Sequence, residues 1–150
     1  MKEGLERLNA FIGKWRGECE VASTPFNSNG GISGSTILGR KALEDNFVFV
    51  DEVLEQNEEV TFRSHKVFGY DPRQQVYTLH FFDSDGANPQ TRAEGSWEGN
   101  KLTLTQITPF GFVRYIYGFT GEEHSHRTEI SEDGSKWSTV IQGNYRRLRD

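Results

Sequence analysis

Few residues in this 150-residue chain could do chemistry, and they are scattered. His124-Ser125-His126 is the densest group. Side chains alternate along a strand, so an H-x-H pair would point both imidazoles to one face, a geometry that suits zinc. Two ligands do not complete a site, and a third would have to come from His65, His80 or an acidic residue of another strand. No metal site is therefore expected. Cys19 is the single cysteine, which excludes an intrachain disulfide and any all-cysteine metal cluster. It lies in phase with Trp15 and Val21, as a small buried thiol would, rather than a nucleophile. There is no G-x-S-x-G elbow. Gly30-Gly31-Ile32-Ser33-Gly34 leads into a strand and lacks the helix N-terminus that would bind phosphate. No cofactor is implied by these motifs. Glu52 with His80 is the acid–base pair that the residue types allow, subject to geometry.

The elements that must position these groups follow from periodicity. Leu5, Leu8 and Ile12 recur at helical spacing, predicting one short amphipathic helix over about residues 3–12 that ends at Gly13. From Trp15 onward the period is two. Strands are expected at 15–21, 32–42, 46–55, 59–69, 76–82, 91–97, 101–107, 112–119, 124–131 and 136–147. They are separated by Pro, Gly, Asn and Asp turns such as Asp71-Pro72, Asp83-Ser84-Asp85-Gly86 and Glu98-Gly99-Asn100-Lys101. The stretch 23–31 reads as a loop. About ten short strands without helical crossovers imply an antiparallel meander, and closure removes its two edges. The expected fold is all-β: a ten-stranded up-and-down barrel with the helix across one mouth, one domain over residues 1–150.

In such a barrel inward positions alternate. The clearest apolar stripes place Trp15, Val21, Phe62, Phe68, Leu102, Leu104, Ile130 and Ile141 inside. Polar residues sharing those phases are candidates for meeting a ligand's polar end. These are Gln106, His126, Thr139 and Tyr145, joined by His80 (with Val76 and Phe82) and Arg114 (with Phe112 and Ile116). The strands of His80 and Arg114 are apolar on both faces, so their phase stays open. An arginine and a tyrosine meeting in the interior could hold a carboxylate. Each of these groups could equally be satisfied by a neighbouring side chain or a buried water.

Charge narrows the classes. Seventeen basic against twenty-two acidic residues give a net charge of −5. The basic residues cluster only in Arg146-Arg147-Leu148-Arg149, which reads as a solvated strand end. Nucleic-acid and membrane partners are not expected. Apolar runs such as Phe47-Val48-Phe49-Val50 fall far short of the roughly 20 residues of a membrane span. Met1-Lys2-Glu3-Gly4 lacks the shape of a signal peptide, so a cytoplasmic protein is expected. A further reading is a scaffold or interaction role, homo-oligomerisation included, that uses an aromatic outer surface around Tyr115, Tyr117 and Phe119.

Several segments together resemble a known family. Leu8-Asn9-Ala10-Phe11-Ile12-Gly13-Lys14-Trp15 is similar to the opening of calycin-like barrels. Phe68-Gly69-Tyr70-Asp71-Pro72, Phe82-Asp83-Ser84-Asp85-Gly86, Gly95-Ser96-Trp97-Glu98-Gly99 and Ser131-Glu132-Asp133-Gly134-Ser135-Lys136-Trp137 resemble the DUF1579 family in order and spacing. That resemblance implies a lipocalin-like barrel and carries over no activity or site residue. Gly13, Trp15 and Gly17 are also similar to the G-x-W-x-G-x-G opening of nitrobindin, a haem-binding barrel. Cys19 replaces the third glycine, and His126 would be the axial ligand such a likeness implies. The functional expectation is a barrel binding a small, partly apolar molecule, an anionic one included. The alternatives are a cofactor-free isomerase or hydrolase built on interior histidines and carboxylates, and nitrobindin-like haem binding.

Overall fold

A computed structural model describes residues 2–22, 30–86 and 91–149, with side chains from Gly4 onward. The ten expected strands are present: β1 (Gly13–Val21), β2 (Gly31–Ala42), β3 (Phe47–Gln56), β4 (Glu59–Asp71), β5 (Val76–Asp83), β6 (Ala93–Glu98), β7 (Lys101–Thr108), β8 (Gly111–Thr120), β9 (Glu123–Ser131) and β10 (Ser138–Arg147). Part of the 23–31 loop lies outside the described residues. Each strand pairs antiparallel with its neighbours in sequence, and β1 pairs with β10 from Trp15↔Arg147 to Val21↔Ile141, which closes the barrel. Closure pairs the two edges that an open sheet would leave exposed.

One end is sealed. The expected single helix divides into an α-helix, α1 (Lys2–Glu6), and a 3₁₀ turn (Arg7–Phe11). The tighter pitch of the 3₁₀ turn sets Leu8 and Phe11, three apart, on one face. Both are buried. Phe11 stacks on Phe68 at 4.2 Å and meets Tyr117 and Phe119 edge-on at 5.2 and 4.8 Å. A Cβ on Gly39 would stand 2.0 Å from the Phe11 carbonyl, so only glycine lets the turn lie on β2. Tyr77 OH donates to the Gly4 carbonyl at 2.7 Å and ties α1 to β5. Among the described residues, no element lies across the other end.

The inward face of the two aromatic strands is now fixed. On β5, Tyr77, Leu79 and Phe81 point into the core, which places His80 on the outer face with Val76 and Phe82. On β8, Tyr115, Tyr117, Val113 and Phe119 are the inward residues. Arg114 is therefore outside, where it pairs with Glu129 at 2.6 Å and stacks on Trp137 at 4.0 Å. The idea of an outward aromatic surface at Tyr115, Tyr117 and Phe119 is overturned by the same observation: Tyr115 and Tyr117 are buried and Phe119 packs against the core.

A register shift between Thr139 and Ile141 accounts for a further correction. Ile141 pairs with the inward Thr128, but Thr139 pairs with Glu129 and is exposed. The bulge inserts one residue and reverses the face, so parity with Ile141 fails at Thr139. At the terminal basic cluster, Arg146 pairs with Glu123 at 2.9 Å and Arg149 with Glu122 at 3.1 Å, as at a solvated strand end.

Candidate functional site

Midway along the interior, five strands bring polar side chains to one point. β2 contributes Ser35, β3 Glu52, β4 Lys66, β9 His126 and β10 Tyr145, and all five are buried. Their inward direction follows from the ladders: Ser35 faces Leu54 across β2–β3, Gly143 faces His126 across β10–β9, and Gly17 faces Tyr145 across β1–β10. Tyr145 reaches this point by lying back along its own strand over Gly143. A Cβ there would meet the Tyr145 hydroxyl at 2.6 Å and its ring at 2.7–2.9 Å. Glycine at 143 is thus a positioning residue for the phenol.

Glu52 is the centre of the network. Its Oε1 accepts from Lys66 Nζ at 3.1 Å and its Oε2 from Ser35 Oγ at 2.7 Å. Tyr145 OH lies 2.7 Å from the same Oε2, 3.0 Å from Ser35 Oγ and 2.9 Å from His126 Nε2, which is itself 3.2 Å from Glu52 Oε2. Burial alone would raise the Glu52 carboxyl, but the Lys66 ammonium and His126 beside it hold it well below the usual carboxylate range. Burial, with the Glu52 charge adding to it, pushes the Tyr145 phenol far up. Burial likewise pushes the Cys19 thiol up to about 12. The cluster at neutral pH holds a carboxylate and a phenol, with a thiol at its margin.

His124 sits one step nearer the sealed end. It stacks on Phe119 at 4.3 Å and its Nδ1 lies 3.2 Å from the Gly118 carbonyl. Burial pushes it down to about 3, so it is a neutral core imidazole. The two histidines point inward together as the H-x-H spacing requires, with ring centroids 6.5 Å apart, but their partners differ. Among the described residues, the three groups whose ligand atoms lie within 4.8 Å of one another are Cys19, Glu52 and His126. The Tyr145 hydroxyl already stands between Glu52 and His126, and Lys66 already supplies the cation that Glu52 needs.

Of the residues singled out from sequence, His126 and Tyr145 meet in this cluster. Gln106 also lies on the inward face of β7, with Leu102 and Leu104, where its Nε2 donates to the Thr91 carbonyl at 2.8 Å. His80, Arg114 and Thr139 point away. Glu52 does have an imidazole partner, but it is His126 across the interior rather than His80 on the outer face. Ser35, Glu52 and Lys66 were not singled out as ligand-contacting residues. The signal for Lys66 was present, because it shares its phase with Phe62 and Phe68, both assigned inside.

A family model described as a protein of unknown function (DUF1579) matches residues 3–147. The chain belongs to the DUF1579 family. No curated protein matches it. Among solved structures, this DUF1579 chain is similar to Rv2717c from M. tuberculosis, with a TM-score of 0.74, 13% identity, and coverage of 97% of this chain and 98% of that one. It is also similar to a variant of the fluorescent protein UnaG, with a TM-score of 0.59, 14% identity and coverage of 95% and 99%. At such identities the likeness shows the fold alone.

The haem that the nitrobindin likeness implies does not fit the residues of this DUF1579 barrel. His126 Nε2 lies within hydrogen-bond reach of both Tyr145 and Glu52. Both of those partners are themselves engaged, Glu52 by Lys66 and Tyr145 by Ser35, so an iron would have to displace a buried network to reach this nitrogen. Cys19, in place of the third glycine, is fully buried.

Proposed function

We propose that this DUF1579 protein binds a small, partly apolar molecule inside the half of the barrel that the N-terminal helix leaves uncovered. One observation carries the reading. Ile130 pairs with the inward-packed Val113 yet is 44% exposed, whereas Leu8 and Phe11 at the sealed end are 0–1% exposed. An inward isoleucine reached by solvent means that the interior opens to water at that end. Phe62, Val113 and Ile141 are half-buried near the same mouth, so its lining is largely apolar. Apolar walls with a few polar groups at the base are the usual composition of a small-molecule site.

The test is fluorescence titration with 8-anilinonaphthalene-1-sulfonate, alongside native mass spectrometry of protein purified from its own host. Saturable binding that Val113→Trp abolishes, without loss of the thermal transition, is the expected result. Binding that is non-saturable, or indifferent to a tryptophan filling the mouth, would count against it.

A second reading, a cofactor-free isomerase or hydrolase, draws on the reach between His126 Nε2, Tyr145 OH and Glu52 Oε2. A proton could pass among these atoms, as general acid–base catalysis requires. It predicts turnover that His126→Gln removes while probe binding persists.

A further inference from the structure

Ser64 lies on the inward face of β4, opposite Glu52 in register and two positions from Lys66. It is 5% exposed, and its hydroxyl has no hydrogen-bond partner. A buried hydroxyl left unpaired is costly, so its persistence in the interior calls for a partner that arrives from elsewhere.

What that partner must offer is set by the groups already engaged. Both oxygens of Glu52 are committed, Oε1 to Lys66 and Oε2 to Ser35 and Tyr145. Lys66 Nζ carries three N–H bonds, and among the described residues Glu52 Oε1 is its one hydrogen-bond acceptor. The uncommitted capacity of this face is mostly donor capacity: the remaining ammonium N–H bonds of Lys66 and the Ser64 O–H, beside the lone pairs of the same Ser64 oxygen. A second feature gives direction. Lys66 stands opposite Phe81 in register, with Nζ 5.6 Å from the ring centroid, and Phe81 stacks with Tyr115 at 5.9 Å. An aromatic wall thus runs beside the donors.

We propose that Ser64 and Lys66 form the polar seat of the ligand site, receiving the carboxylate end of an apolar molecule whose body lies along Phe81 and Tyr115. The seat rests on the binding function inferred above and specifies which end of the ligand goes deepest. A carboxylate suits it because its two oxygens accept from several donors at once, and hydrogen bonds between charged partners are about twice as strong as neutral ones. The ion pair with Glu52 fixes the direction of Lys66 Nζ, so the donor is held ready rather than recruited.

The experiment compares two fluorescent polyenes, cis-parinaric acid, which ends in a carboxylate, and 1,6-diphenylhexatriene, which has no acceptor, on the intact protein and on Ser64→Ala. The expected result is a five- to tenfold loss of parinarate affinity in Ser64→Ala with diphenylhexatriene binding unchanged. Without any probe, the same variant should melt higher by about 2–4 °C, since an unpaired buried hydroxyl has been removed. A hydroxyl with a purely structural role would lower the melting temperature instead. Equal parinarate affinity in the two proteins overturns the seat while leaving the binding function intact. Failure of both probes to bind the unmodified protein overturns the binding function itself.

Discussion

Glu52 and Lys66 form an ion pair at 3.1 Å with both side chains no more than 5% exposed, inside a barrel whose hydrophobic core is built of apolar and aromatic side chains. Taking both charges out of water is costly, and their attraction offsets that cost only because Ser35 and Tyr145 satisfy the second carboxylate oxygen. Removing one partner leaves an unpaired buried charge.

Lys66→Met is therefore expected to destabilise the fold by about 3–5 kcal/mol in urea unfolding. The double variant Glu52→Gln with Lys66→Met should recover much of that loss, because neither member of the pair is then left as an unpaired buried charge. A double variant no more stable than Lys66→Met would show that the pair is not the origin of the effect.

Tyr145 can lie over residue 143 only because no Cβ is there. Gly143→Ala should cost roughly 1–3 kcal/mol through overpacking against the ring. Combining it with Tyr145→Ala, which removes the ring, should make the alanine at 143 nearly neutral. A double-mutant cycle by denaturant unfolding measures this coupling. Additive effects of the two substitutions would contradict the contact.

Much of this arrangement was legible from alternation alone. Trp15, Cys19 and Tyr145 sit where the period of two puts them, because the β1–β10 ladder is regular. The Glu98-Gly99-Asn100-Lys101 hairpin also falls where its turn residues place it, with Glu98 paired to Lys101. Two physical causes hid the rest. In β5 and β8 both faces carry large apolar side chains, so hydropathy alone does not distinguish core from exterior for His80 and Arg114. The arginine keeps its charge outside by pairing with Glu129 and covering Trp137. The β10 bulge is the other cause: Thr139, Val140 and Ile141 are all ordinary strand residues, and nothing in their types announces an inserted residue. Convergence across strands distant in sequence, Glu52 with His126 above all, depends on barrel closure and has no local signature.

Cys19 gives a chemical check on the interior. It is fully buried, and burial, with Glu52 adding to it, pushes its thiol up to about 12. Only the thiolate is nucleophilic. The folded protein should leave 5,5′-dithiobis(2-nitrobenzoate) unreacted at pH 8, and unfolding in guanidinium should release one equivalent of chromophore. Prompt reaction in the native state would mean that solvent reaches the floor of the barrel.

His124 predicts how stability depends on pH. Burial among Phe11, Trp15 and Phe119 lowers it from an ordinary 6.5 to about 3. The folded state thus binds the proton more weakly than the unfolded chain, and stability is full above pH 6.5 and declines as pH falls toward 3. Between pH 6.5 and 5 the His124 contribution should decline by about 2 kcal/mol. That window lies above the ordinary carboxylate range. His124→Gln retains a side-chain donor for the Gly118 carbonyl but does not titrate. Its urea-unfolding stability over this window should therefore fall less steeply than that of the unmodified protein, by the same amount, since every other histidine is common to both. Parallel pH profiles would show that His124 accepts its proton in the folded core, and that its stack with Phe119 does not hold it neutral.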